Sequence, residues 1–197
     1  RFGKRFSDPY NGIRGQGFQD CETHTPEIAS LIVAKAGPDD LLIRVTAHNR
    51  GPDPAPLEII PTLWFRNTWS WKPGSDRPVL NRLGDSGVEA QHPEIGRYEL
   101  RCDGSPELLF CDNDTNHPLI FAGKSDGYFK DAINDYIVAG RADAVNPDPT
   151  GTRVGARYQF LVEPGSAATV ELRLAKRHAR DTFADFDENF QRRRNEV

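Results

Sequence analysis

The chain has 197 residues, with 25 Lys and Arg against 29 Asp and Glu, and 37% of it is hydrophobic. That length suits one ordinary core, and 11 Phe, 5 Tyr and 3 Trp supply the apolar surface that disordered chains lack. A net charge of −4 with scattered basic residues leaves no footprint for nucleic acid or an anionic membrane, and no apolar run approaches the roughly 18 residues of a membrane span.

The chain therefore reads as soluble and cytoplasmic, and its three cysteines (Cys21, Cys102, Cys111) are too few for a disulfide scaffold. It contains no Met, so a processed start or a piece of a longer polypeptide is expected. Residues 1–27 match no pattern that places them, and Gly15-Gln16-Gly17 reads as loop.

From 28 to 35 and from 41 to 48 apolar and polar residues alternate, the mark of half-buried strands. In the second stretch Leu41, Ile43, Val45 and Ala47 share one face and Arg44, Thr46 and His48 the other, where Leu42 is the exception. Gly37, Pro38, Asp39 and Asp40 between them suit a tight turn, which predicts a hairpin. Prolines at 52, 54 and 56 follow, and then an extended run from 57 to 71 interrupted by Pro61. Proline cannot donate to a ladder, so this run is an edge strand, a bulged one, or two strands. Residues 98–102 and 107–111 flank Asp103-Gly104-Ser105-Pro106 and predict another hairpin.

Residues 112–149 are irregular and rich in Asp and Asn, with one short helix expected within 129–138. Long excursions of this kind are commonly functional or interface-forming. Alternation then returns: Val154, Ala156, Tyr158, Phe160 and Val162 oppose Arg153, Gly155, Arg157 and Gln159, and Val170, Leu172 and Leu174 oppose Thr169, Glu171 and Arg173. With Glu163-Pro164-Gly165-Ser166 between them, these are expected as adjacent strands. A charged linker at 176–180 precedes Phe183, Phe186 and Phe190, which recur at helical spacing, with Asp181 as a candidate cap. Many short strands and one terminal helix predict a mainly β chain, an antiparallel β-sandwich over 28–175 followed by a linker helix.

Signals for chemistry are sparse. Glycosidic cleavage needs two carboxylates across the bond, and the local candidates are Asp126, Asp131 and Asp135; a spacing of four puts the last two on one helical face, where a solvated face or a cap is the commoner origin. Asp112, Asp114 and Asn116 match the start of a calcium loop, but His117 stands where Gly is wanted and Gly123 where the bidentate Glu belongs. Cys102, Cys111, His92 and His117 lack zinc-ligand spacing, and no phosphate-loop, dinucleotide or nucleophile-elbow motif occurs. No catalytic residue, metal or cofactor is assigned.

The densest aromatic run is 62–71, which holds Trp64, Trp69 and Trp71, all three tryptophans of the chain. In an extended backbone Leu63, Phe65, Asn67, Trp69 and Trp71 share one face and Trp64, Arg66, Thr68 and Ser70 the other. Such a run is either a platform that stacks on sugar rings or a strand covered by the sandwich or a second domain. With aromatics on both faces, cover is the expectation.

Asn49-Arg50-Gly51-Pro52, the run from Pro61 through Trp71, Tyr128-Phe129-Lys130-Asp131-Ala132-Ile133-Asn134-Asp135-Tyr136, Ala144-Val145-Asn146-Pro147 and Gly151-Thr152 together resemble the N-terminal part of bacterial glucosidase-like proteins. These are glycoside hydrolase family 63 or the mannosylglycerate-hydrolase-like group beside it, and the resemblance covers about 28–197. It implies a supersandwich-like N-terminal domain of a cytoplasmic inverting α-glycosidase, with 176–197 leading into an (α/α)6 barrel of the same polypeptide that carries the acid and base. Within this chain Trp69, Trp71, Lys130 and Asp131 become the candidate contacts to an α-glucoside or oligosaccharide substrate. The alternative reading is a free-standing carbohydrate-binding or protein-interaction module.

Overall fold

The computed structural model describes residues 28–71, 74–121, 127–176 and 183–196. The chain is mainly β with a C-terminal helix, and every pairing among its described strands is antiparallel. The strands are β1 (Ile28–Gly37), β2 (Asp40–His48), β3 (Ala55–Ile59), β4 (Thr62–Trp64), β5 (Val79–Leu83), β6 (Gly87–His92), β7 (Gly96–Cys102), β8 (Glu107–Cys111), β9 (Thr150–Gly151), β10 (Arg153–Val162) and β11 (Ala167–Ala175). Between β8 and β9 lie two helices, α1 (His117–Phe121) and α2 (Ala132–Val138), and α3 (Phe186–Arg194) follows β11. No helix among the described residues is long and apolar enough to cross a membrane.

A seven-stranded sheet runs β1-β2-β11-β7-β6-β5-β9, and a four-stranded sheet is built around β10. Leu80, Val88, Leu100, Val170 and Leu172 of the first face Leu108, Phe110, Val154 and Ala156 of the second in one core, the arrangement of a sandwich. Each Leu or Val buried there stabilises the fold by roughly 1.5–3 kcal/mol.

The predicted hairpin of β1 and β2 forms, in register from Ile28↔His48 to Gly37↔Asp40. Pro61 divides its run into two strands. β3 and β4 lie along the same edge of β10, from Val162↔Ala55 to Arg153↔Trp64, and the Pro61 carbonyl, which needs no N–H of its own, accepts from Ala156 N–H at 2.9 Å between them.

Two other strand expectations need correction. β7 and β8 do not form a hairpin: β7 pairs with β6 and β11 and β8 with β10, so the turn at 103–106 carries the chain from one sheet to the other. β10 and β11 are both strands, but they too lie in opposite sheets and meet through side chains across the core. Buried Asn49 holds that second crossing, since its backbone N–H donates to the Ser166 carbonyl at 2.9 Å and its amide to the Val162 and Asp53 carbonyls, each at 2.8 Å.

Each outer face is partly covered by a helix. α2 seats Ala132 and Ile133 on Leu109 and Cys111 of the smaller sheet. α3 seats Phe186 and Phe190 on Ala34 and Leu42, which explains why an apolar Leu42 stands on the polar side of β2. Arg44 beside it reaches Glu171 at 2.6 Å and lies 4.8 Å from the centre of the Phe190 ring, so a cation closes the rim of this seam. The helix starts at Phe186, with Asp185 at its N-cap position; Asp181, the expected cap, lies outside the described residues. Gly15-Gln16-Gly17, Cys21 and Asp126 also lie outside them.

Candidate functional site

At one end of the sandwich the chain passes from β9 to β10 in a single residue, the buried Thr152. A side chain at Gly151 would put its Cβ 2.3 Å from the Cys111 carbonyl oxygen, so the close approach requires glycine. Thr152 then anchors the loop after β8: its hydroxyl accepts from Asn113 N–H at 2.8 Å, its own N–H reaches the Asp112 carboxylate at 3.1 Å, and its carbonyl accepts from Phe65 N–H at 3.1 Å. The Asn113 amide donates to the Phe65 carbonyl at 2.9 Å, which ties the end of β4 to the same loop.

Asp114 is the hub. It accepts from the Asn67 amide and pairs with Arg77 at 3.0 Å, while Arg77 also reaches Asp112 at 2.7 Å. The Arg77 guanidinium lies 5.5 Å from the centre of the Trp69 ring. The Asn67 side-chain oxygen Oδ1 accepts from Ser70 N–H at 3.2 Å, and the Thr68 backbone carbonyl accepts from Trp71 N–H at 3.2 Å. These bonds hold Trp69–Trp71 in one turn of 3-10 helix, not in the extended strand the alternation suggests. The local reason is Asn67, whose side chain offers the backbone a turn in place of a ladder.

Of the two kinds of cover expected for the aromatic run, by the sandwich or by a second domain, the sandwich does not supply it for Trp64 and Trp71. Trp71 is 64% exposed and Trp64 51%, and Trp69 is half-buried. Trp69 and Trp71 line an open cleft of about 590 Å³ with Arg66, Asp76, His92 and Glu94. The Arg66 guanidinium lies 5.2 Å from the Trp71 ring centre, and His92 is set by Phe65, ring centres 5.4 Å apart.

Lys130 and Asp131 sit on the other side of the hub. Lys130 N–H donates to the Asp114 carbonyl at 3.1 Å, and its exposed ammonium reaches the Thr115 hydroxyl at 3.4 Å. Asp131 precedes α2 without a capping bond and accepts from the Asn116 amide at 2.9 Å. It lines a separate cleft of about 250 Å³ with Asp135, Arg141 and Asp143, and Asp135 is paired with Arg141. Of the four predicted contact residues, Trp69 and Trp71 line the first cleft and Asp131 the second, while Lys130 lines neither of these two and is tied to Asp114 by its backbone.

The Asp112 to Asn116 run is an ion-paired loop, with Arg77 as the counter-charge of both aspartates. Among the described residues no group of three or more His, Cys, Asp or Glu is placed to hold a metal ion. Cys102 and Cys111 are buried in opposite sheets, and burial pushes each thiol up to about 12. Arg77 escaped the sequence reading, and Asn67 and Thr152 entered it without a role at this site; only the Asn67-x-x-Ser70 spacing carried a local signal, that of a capped turn.

No protein-family model matches the chain. It is similar to an uncharacterized protein of the yeast Saccharomyces cerevisiae, 33% identical over 162 residues, a match that covers 68% of this chain and 15% of the yeast protein. The chain spans only that small part of its relative's length.

Proposed function

We propose that the chain is the non-catalytic N-terminal β-sandwich of a family 63-like α-glycosidase, and that it packs on and shapes the substrate cleft of an (α/α)6 barrel in the same cytoplasmic polypeptide. The observation that carries this reading is the apolar surface left uncovered around the Asp114 hub. Trp64 and Trp71 are exposed there, and so are Leu119, Ile120 and Phe121, three consecutive residues of α1. Apolar surface of this kind marks interfaces, and the small share of the yeast relative that the chain spans agrees with a longer polypeptide. The buried thiols of Cys102 and Cys111 suit a reducing compartment.

Inverting hydrolysis needs a protonated acid and an ionised base roughly 6.5–9.5 Å apart across the bond. Several carboxylates of the irregular region are engaged with cations instead, Asp112 and Asp114 with Arg77 and Asp135 with Arg141. In this reading, as the family resemblance implies, the catalytic pair belongs to the barrel.

Aryl α-glucosides and α-linked disaccharides assayed at pH 5 to 8 test this. The full-length parent should turn one of them over, the 197-residue chain none, and Phe121→Asp in the parent should loosen the domain contact and lower turnover. A parent inactive on all of them overturns the reading, as does a chain active by itself whose turnover is lost in Asp131→Asn. The exposure of Trp71 beside Arg66, Asp76, His92 and Glu94 favours one second reading, a free-standing carbohydrate-binding module.

A further inference from the structure

We infer that the cleft between the Trp69–Trp71 turn and the end of β6 binds a neutral oligosaccharide, with the Trp71 ring stacked on a pyranose face. This rests on the carbohydrate part of the reading above and adds the place and manner of contact.

Three observations carry it. The first is that an exposed ring is held in place from beneath. Asn67, Asp114, Arg77 and Thr152 fix the turn through bonds whose far end is a buried residue at the sheet crossing. A ring ordered before the ligand arrives lowers the entropy lost on binding. Simple stability explains nothing here, because Trp71 gains little burial from the arrangement.

The second is the chemistry of the lining. Arg66, Asp76, His92 and Glu94 line the cleft with the two rings, so donors and acceptors are mixed, with one arginine against two carboxylates. A saccharide offers hydroxyl groups that donate and accept, plus an apolar C–H face for an indole. An anionic ligand would meet Asp76 and Glu94, and an apolar peptide would desolvate those two carboxylates without offering them donors, which is costly. The third is size, since about 590 Å³ falls within the roughly 300–1,000 Å³ of small-ligand sites.

Titration of the 197-residue chain with maltotriose, cellotriose and triacetylchitotriose, followed by calorimetry and tryptophan fluorescence, tests the inference without catalysis. At least one trisaccharide should bind saturably. Trp71→Ala should weaken it about tenfold, the upper range for one aromatic contact. Trp71→Phe should restore part of the loss, and Trp64→Ala, an exposed tryptophan outside the cleft, should change it less than about twofold. Far-UV circular dichroism should be the same for all variants. Absence of saturable binding by every probe overturns the inference, and so does equal binding by Trp71→Ala or equal loss in the Trp64 and Trp71 variants. Hydrolysis by the parent is a separate readout, so a chain that binds sugar beside an inactive parent keeps this inference and sinks the enzymatic one.

Discussion

The aromatic seam under α3 and the aromatic turn at Trp69–Trp71 hold the same kind of side chain in opposite circumstances. Phe186 and Phe190 are 2% and 3% exposed against Leu42 and Ala34, and Arg44 lies over them. Trp71 is 64% exposed, and what fixes it is a set of hydrogen bonds from polar residues below. In the seam, apolar contact positions the rings and is itself the source of stability. In the turn, polar residues fix the backbone that carries Trp71, a ring that adds little burial to the fold, which leaves it for a ligand or a neighbouring domain.

The strongest way to break this contrast is to truncate one ring in each region. Phe186→Ala should destabilise the chain by about 3–5 kcal/mol, as buried Phe truncations do, read as a shift in the urea unfolding midpoint. A loss under about 1 kcal/mol would mean that α3 is a loosely attached appendage. Asp114→Ala should have a middle effect. It removes partners of Asn67 and Arg77, but the partly exposed ion pair counts for little, so about 1–2 kcal/mol is expected from the hydrogen bonds, together with a shifted Trp emission spectrum. An unchanged spectrum would show that the hub does not position the turn.

A smaller effect appears in acid. The hydrogen bond from Arg173 holds the Asp185 carboxyl below its ordinary value near 3.8, and Arg157 does the same for Glu58 below 4.5. A depressed carboxylate contributes stability that is present above its unfolded pKa and is lost as pH falls through the lower folded value. Unfolding midpoints should therefore be level near neutrality and decline below about pH 4 to 5, and Asp185→Asn should flatten part of that decline. A decline that Asp185→Asn and Glu58→Gln leave untouched would assign it to other carboxylates. The smallest effect belongs to Trp71→Ala, which should change stability by no more than about 0.5 kcal/mol; a loss comparable with Phe186→Ala would erase the distinction between the two regions.

How much of this was legible follows the kind of information each feature carries. The β1–β2 hairpin was readable because its turn residues and both alternating runs are contiguous, and Phe186 and Phe190 because helical spacing is local, although Phe183 packs beside them from before the helix. β5 and β6 went unread: Leu80, Val88 and Ala90 face the core, but each strand is short, carries few apolar positions and lies among Pro, Gly and charged residues. The two turns read as hairpins, at 103–106 and 163–166, are as compact as hairpin turns, yet each crosses between sheets. Of the site, the aromatic run and the Lys130-Asp131 pair were visible, while Arg77 was not, and Asp114 and Thr152 stood out only as part of a failed calcium-loop match and of a resemblance motif, with no sign that they meet.

Alternation is a property of one strand, set by which of its faces meets water, so the sequence by itself determined the mainly β class, the inward residues of β10 and β11, and the apolar face of the last helix. It carries no record of which strand lies alongside. That choice, and the meeting of Asn67, Arg77, Asp114 and Thr152 from four separate segments, was decided only in the tertiary structure, because side chains 37 to 47 residues apart bond according to where the backbone places them. The same placement turned a run of tryptophans that reads as a covered strand into a pinned, exposed turn, because a short polar side chain bonding to its own backbone outcompeted the ladder after Trp64.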